Sequence, residues 1–377
     1  MRRLLVFNLA TDADDQLLSF TTGWVNRLAA HYDALDVITM RAGRLEVAGN
    51  VRVFSVGKER GYSEARRTLE FYRLLRARLS EGPYVACFAH MMPLFAMMGA
   101  PLLRLYGVPI TLWYTHRNPH WTVRAAVPLV RRAVTATPDS FPVPTKKLRV
   151  LGHGIDTEFF SPDLTPQPPL HGERGSAPIT QAIHPSPEWA GSEIYNVVHV
   201  ARLMPIKRQD TLIHAVAAVP GTRAVLVGDV PPDQDTAYPG TLATLAAELG
   251  AEDRVTFAGA QSATGVRDAY RSAFAAVNLS PPGLFDKAAL EAMACAVPTI
   301  VTNPAFDDLL GEDVALLRIR DADDVDGLIE RLRTLQAMPA TERAALGGHL
   351  RERIIATHSL KVFIPRLIRV LESGEPE

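Results

Sequence analysis

VVHVARLMPIKRQDTLIHA, residues Val197–Ala215, and VNLSPPGLFDKAALEAMACAVPTIV, residues Val277–Val301, decide how this chain is read. Each runs from an apolar strand through a loop bearing charge or glycine into a helix. A loop that opens a helix at a strand's carboxyl end presents free backbone N–H groups and a positive dipole end, which favour anions. Arg202 and Lys207 occupy the first loop. Arginine brings a planar fork suited to phosphate oxygens and lysine a point charge, so the two can converge on one diphosphate. In the second loop Gly283 permits close backbone approach, ahead of Leu284, Phe285, Asp286 and Lys287. Glu291 opens the apolar run LEAMACAV, where a carboxylate can accept both hydroxyls of a ribose. On spacing alone the two cations also read as solvated surface charges, and Glu291 as an exposed acid near a helix start.

Outward from these two walls, strands alternate with helices, which implies parallel sheets covered on both faces. Before the first wall the pattern places strands at Leu4–Leu9, Val37–Met40, Val51–Val56, Tyr84–Ala89, Pro109–Tyr114 and Leu148–Leu151. Helices fall at Thr22–Ala30, Ser63–Ser80, Leu94–Tyr106 and His120–Val134. After it come strands Tyr195–Val200, Ala224–Val227, Val255–Phe257, Ala275–Leu279, Thr299–Val301 and Ala315–Ile319. Their helices are Gln209–Ala217, Thr241–Leu249, Val266–Ser272, Lys287–Ala294, Val325–Ala337, Thr341–Thr357 and Val362–Ser373. Between the halves, Ser161–Gly191 is dense in proline and glycine without apolar period and reads as a linker or insertion. The expected organisation is an α/β chain of two Rossmann-like, doubly wound domains facing across a cleft. Residues 1–160 form the first domain, 161–191 the linker and 192–357 the second domain. A C-terminal helix in 358–377 is expected to cross back to the first domain.

At 377 residues the chain is long enough for two domains. A net charge of −1 gives no global argument for nucleic acid. The charge is uneven, with 21 Lys and Arg against 13 Asp and Glu in residues 1–160 and 19 against 28 beyond. That asymmetry suggests different partners or complementary faces. Cys87 and Cys295 each lie in an apolar segment and read as free core thiols, which fits a reducing compartment. The apolar run near Met1 is too short for a signal segment and reads as a first strand. No stretch approaches eighteen uninterrupted apolar residues, so no transmembrane helix is expected. A cytoplasmic location follows as an expectation.

The combined motifs resemble the retaining glycosyltransferases of the GT-B fold, family 4 (glycosyl transferases group 1). HVARLMPIKRQDTLIHA carries the family's strand–Arg–Lys–helix segment. LVGD at Leu226–Asp229, RVTFAGA at Arg254–Ala260 and LSPPGLFDKAALEAMACAVPTIVTN at Leu279–Asn303 follow in the family's order. VLGHGIDTEFFSP at Val150–Pro162 is similar to the segment closing the first domain, with His153 where Asn is usual. The resemblance covers about residues 148–320 well and the first half weakly. It implies a donor such as a UDP- or GDP-sugar, held mainly by the second domain. Arg202 and Lys207 would hold the diphosphate and Glu291 the ribose. Gly228 in LVGD would belong to the donor site, and Phe257–Gln261, including Gly259 and Gln261, would lie along the base. Gly283–Lys287 would offer backbone N–H groups to phosphate and sugar. Four positions depart from the family pattern. Gly283 stands where a Glu usually contacts the donor sugar, Ala201 replaces a glycine before Arg202, and Ala296 replaces one before Val297. The glycine-rich turn after the first strand is reduced to Gly23 within Ser19–Gly23.

The first half should supply the acceptor side, for a glycan, a lipid-linked or a small-molecule acceptor. His116, in LWYTHRN, sits where similar enzymes carry a His that touches the donor sugar; His90, in CFAHMMP, also lies at a strand end. For either, a hydrogen-bonded structural role is the plainer reading. Asp14, Asp15 and Gln16 can meet acceptor hydroxyls or be solvated turn residues. Helix Ser63–Ser80 combines Arg66, Arg67, Arg73, Arg76 and Arg78 with Leu69, Phe71, Tyr72, Leu74, Leu75 and Leu79. It reads either as a helix lying on an anionic membrane or as a core helix with arginines in water. The resemblance implies front-face attack, with a leaving-group oxygen taking the acceptor's proton. No Asp-x-Asp stands in the two loop–helix walls, so no metal and no cofactor is expected. A nucleotide-sugar epimerase on the same architecture and a non-catalytic nucleotide- or glycan-binding member are the alternatives. A nicotinamide dehydrogenase is disfavoured because no G-x-G-x-x-G follows the first strand.

Overall fold

A computed structural model describes residues 1–14, 20–117, 119–162, 194–231, 236–373 and 375. Asp15, and the Pro/Gly-rich stretch from residue 163 to 193, lie outside the described residues. The chain divides into two compact units, Met1–Gly154 with Leu360–Glu377, and Ile155–Ser359.

The first unit runs β1 (Arg3–Thr11), α1 (Phe20–Ala29), β2 (Ala34–Ala42), β3 (Val51–Ser55), α2 (Glu64–Ser80), β4 (Ala86–His90) and α3 (Pro93–Leu105). It continues with β5 (Ile110–Trp113), α4 (Trp121–Ala126), β6 (Arg132–Thr135) and β7 (Leu148–Val150). Its strands form one parallel sheet in the order β3-β2-β1-β4-β5-β6-β7. β1 and β4 are central and buried on both faces, which explains why RLLVFNLAT and ACFAH read as near-continuous apolar runs. A core of Leu5, Phe7, Phe71, Leu75, Phe95 and Leu112 fills one side of the sheet.

The second unit runs β8 (Tyr195–Val200), α5 (Gln209–Ala218), β9 (Thr222–Val227), α6 (Tyr238–Glu248), β10 (Val255–Gly259), α7 (Ala263–Arg271) and β11 (Ala275–Asn278). Then follow α8 (Lys287–Ala294), β12 (Thr299–Val301), α9 (Asp307–Leu310), α10 (Val314–Leu317), α11 (Val325–Ala337) and α12 (Ala340–His358). Its parallel sheet has the order β10-β9-β8-β11-β12. The next helix, α13 (Leu360–Glu372), belongs to the first unit. There Phe363 meets Trp24 and Trp113, with ring centroids 4.6 and 5.5 Å away. Gly154 makes room for it, since a Cβ there would lie 2.7 Å from the Phe363 ring. Cys87 and Cys295 are buried free thiols, and burial pushes both pKa values up, that of Cys295 to about 12.

Two elements differ from the sequence reading. The helix expected at His120–Val134 stops at Ala126, and Arg132–Thr135 instead pairs as β6 between β5 and β7. Pro128 carries no N–H for a helical ladder, so the apolar run beyond it is free to extend. The strand expected at Ala315–Ile319 is the short helix α10, and only Arg318 bridges to Val301. A run of four or five apolar residues carries too little period to tell strand from helix.

Candidate functional site

In the second sheet, the strand order turns back on itself between β8 and β11. The chain winds one way from β8 to β9 and β10 and the other way from β11 to β12. The loops leaving the carboxyl ends of these neighbours diverge and open a crevice, the usual ligand position in a doubly wound sheet. The two walls singled out in the sequence are these two loops.

The first wall is stitched to the strand beside it. Ala201 N donates to Val227 O at 3.0 Å and Leu203 N to Asp229 O at 3.0 Å. Gly228 is required here. Its φ is +143°, and a Cβ would fall 2.0 Å from Ala201 O. Gln209 Nε2 holds Arg202 O at 2.9 Å. The Arg202 side chain itself is exposed and makes no hydrogen bond or ion pair among the described residues. A 3-10 turn, Pro205–Lys207, follows and is closed by Arg208 in the left-handed region at φ +53°. That conformation costs a non-glycine residue about 1–2 kcal/mol. The Arg208 guanidinium is tied to Asp323, and lies 3.5 Å from Asp210.

The turn drives Lys207 inward, leaving its side chain 9% exposed. Its Nζ donates to Ser280 Oγ at 2.9 Å and to Asp286 Oδ2 at 2.5 Å, so the two walls meet at this lysine. Asn278 Nδ2 donates to the same carboxylate oxygen at 3.1 Å, and Ser280 Oγ hydrogen-bonds to it as well. Burial alone would raise the Asp286 pKa. The Lys207 charge and the hydrogen bonds from Lys207, Ser280 and Asn278 outweigh it and hold the carboxyl below its usual range. Beneath them His199 is fully buried, and neither ring nitrogen has a hydrogen-bond partner among the described residues. Burial, then the Lys207 charge, push its pKa down to about 4 against the pull of Asp286, so the ring is neutral.

On the second wall, Gly283 has φ +86°. A glutamate there would sit in the left-handed region, at about 1–2 kcal/mol. This loop is therefore shaped for glycine, and the departure from the family pattern reaches the backbone. Leu284 O accepts from Asn303 Nδ2 at 3.1 Å, and Phe285 stacks on Phe306 with centroids 4.4 Å apart. Glu291 lies one turn into α8, 3.7 Å from Lys287 at i,i+4. Both side chains are mostly enclosed, at 16% and 20% exposure. Burial raises Glu291 and lowers Lys287, each opposed by the other's charge.

Gly228, Phe257, Gly259 and Gln261 fall at the carboxyl ends of β9 and β10, next in line along the sheet. Gly228 N donates to Gly259 O at 2.8 Å, Gln261 Nε2 to Ala258 O at 2.5 Å, and the Phe257 ring is 38% exposed. Sequence reasoning passed over Asn278, Ser280 and His199. The signal was present: they are polar residues inside or just beyond otherwise apolar strands.

In the first unit, His116 is exposed beyond the end of β5, with its backbone N bonded to Ser140 O at 2.9 Å. His90 is only 4% exposed and lies among Trp24, Phe88 and Trp113, with ring centroids 5.2 to 6.3 Å away. It borders a small hollow with Val6, Asn8, Thr21, Trp24 and Phe88. Gly23 is in α1 with open space around it. Among the described residues, no group of three or more His, Cys, Asp or Glu could hold a metal ion, and no helix is long and apolar enough to cross a membrane.

Two parallel doubly wound sheets, one completed by a returning C-terminal helix, define the GT-B fold. HepE from Anabaena, solved in complex with UDP and glucose, superposes with a TM-score of 0.73 over 99% of this chain and 100% of its own, at 17% identity. Sucrose-phosphate synthase from Thermosynechococcus elongatus gives 0.76 over 99% of each chain, also at 17% identity. Residues 195–337 match the family described as Glycosyl transferases group 1, the family that the motifs of the second half resemble. A D-inositol 3-phosphate glycosyltransferase of Mycolicibacterium smegmatis is 32% identical over 154 residues, 41% of this chain and 32% of the relative. One from Mycobacterium sp. (strain KMS) is 29% identical over 204 residues, 54% of this chain and 43% of the relative. The chain thus spans less than half the length of these curated relatives.

Proposed function

We propose that this protein is a glycosyltransferase. It moves a sugar from a nucleoside diphosphate sugar to a glycan, lipid or small-molecule acceptor with retention of configuration. The observation that carries the reading is the crevice between the ends of β8 and β11. There an exposed Arg202, the inward Lys207 and the enclosed Glu291 lie on the two loop–helix walls. Arg202 and Lys207 stabilise charge as it develops on the departing diphosphate, a task for fixed cations in a site that excludes water. Glu291 accepts the ribose hydroxyls. The donor is a UDP- or GDP-sugar; UDP is favoured because HepE was solved with UDP and glucose. The acceptor is held by the first unit, where His116 is exposed beyond the end of β5.

Calorimetric titration with UDP and GDP, together with a donor-hydrolysis assay, tests the reading. Micromolar binding of one nucleotide and turnover that collapses in Arg202→Ala are expected. Wild-type turnover in both Arg202→Ala and Glu291→Ala would overturn the site. A non-catalytic nucleotide-binding role is the second reading, favoured by Gly283 at the usual sugar-contacting position. Nucleotide binding with neither hydrolysis nor transfer would select it.

A cytoplasmic location is part of the proposal, with peripheral contact to an anionic membrane through α2 as its weakest member. Arg73 pairs with Glu70, Arg78 pairs with Glu81, and Arg66 covers the Tyr62 ring. Phe71, Leu74, Leu75 and Leu79 are buried, leaving Leu69 as the large exposed apolar residue at 72%. No flotation with anionic liposomes at low salt would remove this member.

A further inference from the structure

Asp286 holds a place where an anionic ligand would be expected. It is the N-cap residue of α8, yet its carboxylate makes no capping bond to that helix. The carboxylate turns instead to Lys207, Ser280 and Asn278. The first-turn N–H groups of α8 are left without a side-chain cap, and the positive end of the helix faces the same crevice. Of the two features that attract an anion here, the buried ammonium is therefore taken up by an internal carboxylate, while the helix end keeps its N–H groups uncapped. At 24% exposure Asp286 is the more accessible partner of the pair, so a ligand entering the crevice reaches it before Lys207.

We propose that Asp286 is a built-in competitor for the phosphate ligand of Lys207: its carboxylate stands in for a phosphate and must yield the ammonium when a nucleoside diphosphate binds. The inference rests on the nucleotide reading above and sets how strongly this site binds. With Asp286 in place, Arg202 is the cation left to meet a diphosphate, and an approaching phosphate meets a like charge beside Lys207. The other titratable groups facing Asp286 do not relieve that repulsion. His199 is neutral, Tyr270 is held protonated by burial, and Lys287 is engaged with Glu291. Replacing Asp286 with a neutral residue leaves the enclosed Lys207 without its counter-ion, a state that a bound diphosphate relieves.

The test is UDP affinity by calorimetry on the full chain, with far-UV circular dichroism and a cooperative thermal melt to establish folding. Asp286→Asn and Asp286→Gly are both used, because loss of a buried counter-charge can impair folding in one and not the other. Each folded variant should bind UDP about tenfold more tightly or better, the scale of one charge-assisted hydrogen bond from the freed Lys207 ammonium to a phosphate. In a Lys207→Ala background the same substitutions should change affinity less than threefold. Wild-type or weaker affinity in folded Asp286→Asn and Asp286→Gly overturns the competitor role while leaving the nucleotide site standing. Failure of wild type and both variants to bind either UDP or GDP overturns the nucleotide reading, and the competitor role with it.

Discussion

The two units repeat one topology but use its centre in opposite ways. In the second, the strand pair at which the order reverses, β8 and β11, ends in a charged pocket holding Lys207, Asp286, Ser280 and Asn278. In the first, the equivalent pair, β1 and β4, ends in an aromatic seat. Trp24, His90, Trp113 and Phe363 fill it, and Trp24 Nε1 is tied to Gly154 O at 3.3 Å. Each unit also holds one non-glycine residue in the left-handed region at that point: Met91 after β4 and Arg208 before α5, both at φ +53°. Topology thus makes the crevice, and the side chains at the strand ends decide whether it is lined with charge or holds a helix of the same unit.

The largest effect expected is on the aromatic side of this comparison. Trp24→Ala should cost about 3–5 kcal/mol of unfolding free energy, as truncation of a fully packed aromatic does, read by urea denaturation. A loss under 1 kcal/mol would mean the seat is not what holds α13. On the charged side, Arg202→Ala should lower kcat/KM by about 2.7–4 kcal/mol, the range for losing one oxyanion donor, with the melting temperature unchanged. A fall in stability of similar size would make Arg202 structural and erase the contrast between the two crevices.

His199 links the charged pocket to pH. Its folded pKa, about 4, lies below the unfolded value near 6.5, so the unfolded state takes up the proton first as pH falls. Stability from this residue is present above pH 6.5 and lost on the way down to pH 4, in total about 3 kcal/mol. Denaturation curves between pH 4 and 7 should show that slope in wild type and a flatter one in His199→Leu. Equal slopes would place the pH sensitivity elsewhere. The smallest effect concerns Ala296, in the left-handed region at φ +59° just past α8. Ala296→Gly should stabilise by about 0.5–1 kcal/mol, since glycine carries no penalty there. A destabilised variant would show that the methyl group packs usefully.

Much of this was legible in the sequence. The wound alternation, the helix Lys287–Ala294 to the residue, and the two walls follow from local period and from loop chemistry at strand ends. The ion pair joining the walls did not, because Lys207 and Asp286 are 79 residues apart and meet only once β11 lies beside β8. Arg208 gave no warning of its left-handed backbone, since the tight turn imposes it and the side chain does not prefer it. The apolar run across Pro128 satisfied both helix and strand patterns, and pairing with β5 and β7 decided it.

The return of α13 to the first unit has a consequence for synthesis. Trp24 and Trp113 leave the ribosome early, but Phe363 follows Trp113 by 250 residues. At about 5–20 residues per second the aromatic seat stands open for about 12–50 s. The whole of the second unit emerges within that interval. The continuous unit can therefore finish folding first, while the one that begins the chain stays incomplete with a hydrophobic seat exposed, a natural point for chaperone engagement.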